Sequence, residues 1–167
     1  MKINFYIVFI VLSTCFALCA AGNDKELLSK TIEKYSSLTK GIHSGTISAY
    51  ALKKEMTEKK EIVLVDVREK EEMEISKLPR AVTKEEFLKN TERYKGKKIV
   101  AYCTIGYRSG KFAEKHKDLN ILNLEGGVLA WSHFGGKFYK DDHETKKVHI
   151  YSKEWNFLNS KYEAVYK

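Results

Sequence analysis

Two uninterrupted apolar runs constrain the fold of this chain more than any other feature. Residues 62–65 read Ile-Val-Leu-Val and lead into Asp66, and residues 99–102 read Ile-Val-Ala-Tyr and lead into Cys103. A strand with one face in water alternates apolar and polar side chains, so continuous apolarity indicates strands that are covered on both faces. Such strands are typical of parallel sheets flanked by helices.

The segments around these runs carry the periodicity and the end signals of helices. Helices are predicted from Asn23 or Asp24 to about Leu38, after Ser48, and from a capping box of Thr83 and Glu86 to about Tyr94. A third strand is predicted at 121–124, and the Gly126-Gly127 pair then turns into a short helix. The alternation predicts a three-layer α/β domain with a mainly parallel central sheet.

Composition divides the chain into four segments. They are a signal peptide at 1–21, an N-terminal helix and linker at 22–45, the α/β domain at 46–135 and a C-terminal extension at 136–167. The extension is rich in aromatic residues and lysine, and the alternation at 148–151 suggests a strand. We expect the extension to pack on the domain, and a tail that docks a protein partner is the alternative.

The first segment has the pattern of a secretory signal. Lys2 precedes an apolar run, small residues close the run, and the chain turns polar at Gly22. We expect cleavage after Ala21, which makes the protein exported, either periplasmic or secreted. The alternatives are an uncleaved membrane anchor and a lipoprotein, although the residues before Cys15 and Cys19 suit lipid attachment poorly.

Cleavage would leave Cys103 as the one thiol of the mature chain, because Cys15 and Cys19 lie inside the signal. One thiol cannot form an intramolecular disulfide, so a packed core must supply the stability. A lone Cys in an oxidising compartment is either buried and inert or retained for its reactivity.

The formal charge of +8 raises the question of nucleic-acid binding. The lysines alternate with Glu and Asp along the whole chain and form no basic stripe, which favours a solvated basic surface and no nucleic-acid partner. This charge still favours small anionic substrates.

The loop that begins at Cys103 is the strongest chemical signal in the sequence. Residues 103–109 read Cys-Thr-Ile-Gly-Tyr-Arg-Ser and lie between a predicted buried strand and a predicted helix. In a parallel α/β sheet, ligands bind at this carboxyl edge. Backbone N–H groups, the start of the helix and the Arg108 cation would all favour a thiolate, and Gly106 permits a tight loop.

Four motifs in order resemble those of the rhodanese family. The loop matches C-x-x-G-x-R-S, and residues 66–69, Asp-Val-Arg-Glu, resemble the D-V-R-E segment. Residues 78–82 stand in the place of the I-P-G-A stretch, and Gly126-Gly127 with Trp131 matches G-G-x-x-x-W. The resemblance covers about residues 47–131, and neither the signal nor the C-terminal extension takes part in it.

This resemblance implies sulfur transfer through a persulfide on Cys103. The family pattern makes Cys103 the nucleophile and sulfur carrier, and Arg108 the cation for the thiolate and the anionic donor. Asp66 and Arg68 would organise the site from outside it. The loop residues expected to bind substrate are Thr104, Ile105, Gly106, Tyr107 and Ser109.

The implied partners are a small anionic sulfur donor and a thiol or cyanide acceptor. A protein partner would use the C-terminal extension, and a membrane would be involved only if the signal stays uncleaved. The chemistry requires no metal and no organic cofactor, and the five His residues show no ligand-like spacing.

Two other functions stay open at this point. Phosphatases of the same fold resemble C-x5-R, whereas four residues separate Cys103 from Arg108 here. A module without catalysis, which carries sulfur or binds a partner, is the second alternative. Arg80 replaces the glycine of the I-P-G-A stretch, so we expect a reshaped turn there.

Overall fold

The computed structural model describes residues 5–166, with side chains from residue 22 onward. The predicted signal peptide, 1–21, therefore lies outside the residues whose side chains are described. The helices are α1 (Phe5–Thr39), α2 (Ala49–Thr57), α3 (Lys70–Ile75), α4 (Lys84–Lys89), α5 (Tyr107–Lys115) and α6 (Gly127–His133). Within this described part, no helix has the length and apolarity needed to span a bilayer.

A central sheet of five parallel strands carries the fold. Its strands are β1 (Thr46–Ile47), β2 (Ile62–Asp66), β3 (Val82–Thr83), β4 (Lys98–Tyr102) and β5 (Leu122–Leu124). Their spatial order is β1-β5-β4-β2-β3, and every neighbouring pair is parallel. Asp66 pairs with Tyr102 in register, so β2 and β4 end side by side and the chain leaves both at one edge.

The sheet is buried on both faces, as the apolar runs indicate. Leu64 and Val100 belong to one core cluster, and Val65 and Ala101, the next residue of each strand, belong to the other. Successive side chains of a strand point to opposite faces, so the two clusters are the two sides of the sheet. The predicted three-layer α/β fold is confirmed.

Several helix boundaries differ from the expected ones. The start at Asn23 or Asp24 is wrong, because α1 begins at Phe5 and passes this point without a break. The predicted helix to Tyr94 ends instead at Lys89 and continues as a separate 3₁₀ turn. The side chains of Ser48 and Thr83 do accept N–H bonds at the starts of α2 and α4.

The C-terminal extension is integrated into the domain. It contains an antiparallel hairpin of β6 (Phe138–Lys140) and β7 (His143–Thr145) and a parallel pair of β8 (Lys147–His149) and β9 (Glu163–Val165). Phe138, Val148 and Ile150 are completely buried in the larger core cluster. Removing the extension would therefore open the core.

The extension is also tied to α1. The carboxylate of Asp24 accepts hydrogen bonds from the side-chain amide of Asn159 at 2.8 Å and from the Ser160 backbone N–H at 2.8 Å. The Lys34 ammonium lies 5.4 Å from the centre of the Trp155 ring, within cation–π range. The two segments that flank the central domain thus hold each other.

Candidate active site

Cys103 follows β4 directly and is buried, with 2% of its surface exposed. The Gly106 backbone N–H donates to Cys103 Sγ at 3.1 Å. Gly106 has a φ of 101°, a left-handed value that glycine adopts readily, and it is the residue before α5. The sulfur therefore lies inside a tight turn, close to the start of a helix.

The first turn of α6 donates hydrogen bonds to the backbone of the Cys103 loop. The N–H groups of Val128 and Leu129 donate to the carbonyl oxygens of Cys103 and Thr104 at 3.0 and 3.3 Å. Gly127 makes this approach possible, because a Cβ at that position would overlap the Cys103 carbonyl oxygen. The G-G pair of the sequence motif is thus a packing requirement of the Cys103 loop.

Arg108 forms a bidentate ion pair with Glu72. Its terminal nitrogens donate to the two carboxylate oxygens at 2.7 and 2.8 Å, and one also reaches Thr104 Oγ1 at 3.3 Å. Burial works against the charged guanidinium, but the bond to Glu72 and the charge of Cys103 outweigh it and raise the pKa of Arg108. The donors of Arg108 are therefore held by a carboxylate and a hydroxyl, while its charge interacts with that of Cys103.

Glu72 was missed in the sequence. It lies in the first turn of α3, four residues after Arg68, in a run of charged residues without apolar periodicity. Burial alone would raise the pKa of Glu72, but the hydrogen bonds from Arg108 and from the Glu69 N–H outweigh burial and lower the pKa to about 2. Glu72 is thus a stable carboxylate that also accepts from the Thr104 hydroxyl at 3.1 Å.

Asp66 and Arg68 form a second pair under the loop. Asp66 accepts from Arg68 Nε at 2.9 Å, from Arg68 Nη2 at 2.7 Å and from the Tyr102 hydroxyl at 2.6 Å. Arg68 Nη2 also donates to the Ser76 carbonyl at 2.6 Å. Both members of the pair are buried, so they fix the ends of β2 and β4 without reaching a substrate.

Burial and the Asp66 charge raise the pKa of Tyr102 well above its ordinary value, so the phenol stays protonated. Its hydroxyl donates to Asp66 and accepts from the Leu78 N–H at 3.1 Å. This arrangement links the end of β4, one residue before Cys103, to the turn that precedes β3.

The predicted substrate-binding residues differ in what their side chains face. Ile105 is buried in the core, and the Ser109 hydroxyl donates to Asn123 Oδ1 at 2.7 Å. Thr104 is buried against Glu72, whereas Tyr107 is exposed, with the Lys111 ammonium 4.8 Å from its ring centre. The loop can therefore meet a ligand mainly through its backbone N–H groups and Tyr107.

Two flanking segments reach this site, and neither contact could be predicted from the motifs. The ring of Tyr35, on α1, lies against Gly106. His149, on β8, places Nδ1 3.8 Å from a Glu72 oxygen. Both residues are distant from Cys103 in the chain and fall outside the motifs, so only the tertiary structure brings them here.

A groove of about 770 Å³ lies at the other end of the sheet. Its lining includes Lys59, Arg80 and Arg93 beside the first residues of β2. Arg80 has a φ of 55°, and the Ala81 N–H closes the turn on the Leu78 carbonyl. The turn expected to be reshaped thus keeps a left-handed residue where the motif has glycine.

Comparisons with known proteins agree with this fold. The Rhodanese-like domain family matches residues 48–134. No curated protein sequence matches the chain. Among solved structures, a rhodanese-like domain from Anabaena is similar at 16% identity and a TM-score of 0.51, with 60% of this chain and 82% of that one covered.

Two further solved structures share the fold. A thiosulfate sulfurtransferase from Pseudomonas aeruginosa aligns at 13% identity and a TM-score of 0.51, with 66% of this chain and 23% of that one covered. A protein from Rhodopseudomonas palustris, described as a possible tyrosine phosphatase, aligns at 22% identity and a TM-score of 0.50, with 67% and 93% covered. At these identities, the likeness extends to the fold alone.

Proposed function

Because the chain belongs to the rhodanese-like domain family, we propose that it is a sulfurtransferase that carries sulfur on Cys103. The observation that supports this most directly is the Gly106 N–H, which donates to Cys103 Sγ at 3.1 Å. A backbone donor aimed at the sulfur favours the thiolate over the thiol, because an anion is the stronger acceptor.

The reaction proceeds in two displacement steps. The Cys103 thiolate attacks the outer sulfur of thiosulfate or a related donor, the sulfur–sulfur bond of the donor breaks, and sulfite leaves with the electron pair. The persulfide on Cys103 then loses its outer sulfur to cyanide or a thiolate. That attack breaks the persulfide bond and restores the Cys103 thiolate, so no external oxidant or reductant is needed.

The polar and charged groups around Cys103 have different roles in this reaction. The Gly106 N–H and the start of α5 meet the anionic sulfur, while Arg108 supplies positive charge for the thiolate and the anionic donor. Glu72 balances that charge and keeps the guanidinium in place. Asp66 and Arg68 hold the strand ends on which the loop is built.

Phosphatase chemistry receives less support from the same residues. A phosphate ester carries its charge on several oxygens, which suits a guanidinium that presents both of its terminal nitrogens. Here both nitrogens of Arg108 are engaged by Glu72, and four residues separate Cys103 from Arg108. Turnover of a phosphate ester that depends on Cys103 would revive this alternative.

The intact mass of the purified protein before and after thiosulfate treatment tests the proposal. We expect wild-type protein to gain one sulfur atom, to lose it on addition of cyanide, and to lack the gain in Cys103→Ser. Because that variant retains any other cysteine present, it assigns the sulfur to one residue. No gain on a freely alkylated Cys103 would contradict transfer from thiosulfate and favour a module that binds a partner.

The proposal also places the protein outside the cytoplasm. Its support is the apolar run before Ala21 and the polar sequence from Gly22. Cleavage after Ala21 would leave α1 beginning near Asp24, where an acidic side chain stabilises the first turn of a helix. Mass analysis of the protein from cell fractions tests this: a chain that starts at Gly22 in the exported fraction is expected, and a chain with three cysteines in the membrane fraction would contradict it.

A further inference from the structure

Helix α1 lies outside the family-matched region and yet contacts the Cys103 loop. The family match begins at residue 48, whereas Tyr35, on α1, is 9% exposed and belongs to the larger core cluster. A Cβ built on Gly106 would lie 2.7 Å from Tyr35 Cε2 and 2.8 Å from Cδ2. The flat face of Gly106 and the edge of the tyrosine ring therefore fit each other with no room for a side chain.

Gly106 is the residue whose N–H binds the sulfur, so its orientation controls that bond. Besides the helical bond from the Gly110 N–H to the Gly106 carbonyl, two side chains contact Gly106. The Tyr35 ring covers its Cα, and Asn123 Nδ2 donates to its carbonyl oxygen at 2.9 Å. The same amide group lies 3.5 Å from the Tyr35 hydroxyl.

The pKa of Tyr35 depends in part on its closeness to Cys103. Burial, the Glu125 carboxylate and the charge of Cys103 raise the pKa of Tyr35. The phenol is therefore protonated at neutral pH and adds no negative charge beside the thiolate. The rigid Tyr35 ring can therefore limit the motion of Gly106 without destabilising the Cys103 thiolate.

We infer that Tyr35 is a positioning residue for Cys103: it holds the Gly106 N–H on the sulfur and thereby sets the reactivity of the thiol. The inference rests on the proposed function for its biological meaning. Its physical content concerns the thiol alone. α1 would then contribute to the active site. The family-matched segment by itself would lack the Tyr35 ring, which keeps the Gly106 N–H on the sulfur.

The test is the pH dependence of iodoacetamide alkylation at Cys103, followed on the Cys103 peptide by mass spectrometry in the full chain. Tyr35→Leu retains apolar bulk but removes the flat ring, and Tyr35→Phe removes the hydroxyl alone. We expect the leucine variant to shift the midpoint of the pH–rate profile upward by about one unit, which slows alkylation about tenfold below the midpoint. The phenylalanine variant should keep the wild-type profile, because the ring makes the contact.

Tyr50→Leu is the matched control. Tyr50 lies on α2, is 63% exposed and packs edge-on against Phe134, away from the Cys103 loop. Its variant should keep the wild-type midpoint. Should Tyr35→Leu unfold in buffer, the profile is recorded in a stabilising osmolyte, which favours the compact state.

Apart from the substituted tyrosines, the charged and titratable groups around the Cys103 loop stay the same in all three variants. They are Arg108 on α5, Glu72 on α3, Glu125 after β5 and His149 on β8. A shift in the midpoint is therefore due to the loss of the ring. A folded Tyr35→Leu protein with a wild-type midpoint and lower stability would show that Tyr35 is only a core residue, and would overturn the inference.

This readout separates the inference from the proposed sulfur transfer. A shifted midpoint in a protein that gains no sulfur from thiosulfate would support the role of Tyr35 and contradict the proposed donor. An unshifted midpoint in a protein that does gain sulfur would support the transfer and reject the role of Tyr35.

Discussion

Two arginine–carboxylate pairs lie near the Cys103 loop, and they differ in exposure. The side chains of Arg68 and Asp66 are 0% exposed, whereas Arg108 is 33% exposed and its partner Glu72 is 9% exposed. The first pair is shut inside the fold and bonded to Tyr102 and the Ser76 carbonyl. The second faces the loop and the solvent, so its cation can respond to a charge on the sulfur or on a ligand.

This difference in exposure indicates which arginine–carboxylate pair stabilises the fold and which acts on the reactive thiol. Breaking a fully buried pair leaves an uncompensated charge in a low-dielectric interior, which destabilises the protein strongly. Breaking the Glu72–Arg108 pair should cost less, because Arg108 is 33% exposed and its truncation would let water reach Glu72. We therefore expect the Asp66–Arg68 pair to dominate stability and the Glu72–Arg108 pair to dominate reactivity.

The largest effect is expected from Arg68→Ala, which leaves the buried Asp66 carboxylate without its countercharge. We expect a loss of about 3–5 kcal/mol in the free energy of unfolding, measured by urea denaturation. Arg108→Ala is the matched comparison and should lose less stability while abolishing sulfur uptake from thiosulfate. Equal losses of stability in the two variants would contradict the division of roles.

Glu72→Gln should have an intermediate effect that depends on pH. Glu72 has a pKa of about 2 in the folded protein, against an ordinary value of 4.5. A lowered folded-state pKa contributes stability above pH 4.5, and this contribution is lost as the pH falls through 4.5 toward 2. We expect the variant to lose about 2 kcal/mol at neutral pH, with the difference from wild type shrinking over this acid range.

Urea denaturation of both proteins between pH 2 and pH 7 measures this difference. A difference that stays constant across the range would mean that the charge of Glu72 contributes nothing and that packing alone explains the loss.

The same variant should alter the thiol by a smaller amount. Without the Glu72 charge, more of the Arg108 charge is available to the Cys103 thiolate, so alkylation below neutral pH should accelerate about threefold. The alkylation rate at the Cys103 peptide measures it. Slower alkylation would show that Glu72 acts chiefly by holding Arg108 in place.

The smallest effect is expected at the surface pair of Glu26 and Lys30 on α1. Its two side chains are 63% and 50% exposed, and their charges are screened by water and salt. Glu26→Gln should be indistinguishable from wild type in urea denaturation and in Cys103 alkylation. A clear loss of stability would mean that exposure is a poor guide to the importance of ion pairs in this protein.

The sheet and the loop could be predicted because their signals are local. An apolar run ending at Asp66 or Cys103 identifies a strand and its exit, and the four motifs predicted the family correctly. Glu72 could not be predicted in the same way, since it lies in a charged run where α3 buries only that one residue. Its importance comes from its contact with Arg108, 36 residues later.

The role of α1 was invisible for a related physical reason. The spacing of Leu28, Ile32, Tyr35 and Leu38 predicts a buried helical stripe, and Ile32 departs from it with 40% exposure. The spacing does not say which backbone the stripe covers. The fit of the Tyr35 ring on Gly106 depends on a missing Cβ 71 positions away. The start of α1 was also misjudged, because Asp24 resembles a cap although its carboxylate bonds to the C-terminal extension.

The tie between Asp24 and Ser160 has a consequence for the order in which the molecule is completed. The two residues are 136 positions apart, which makes theirs one of the longest closures in the chain. Synthesis delivers residue 160 only after the whole parallel sheet has been made. The bonds between the two flanks can therefore form only after every strand of the central sheet has been synthesised.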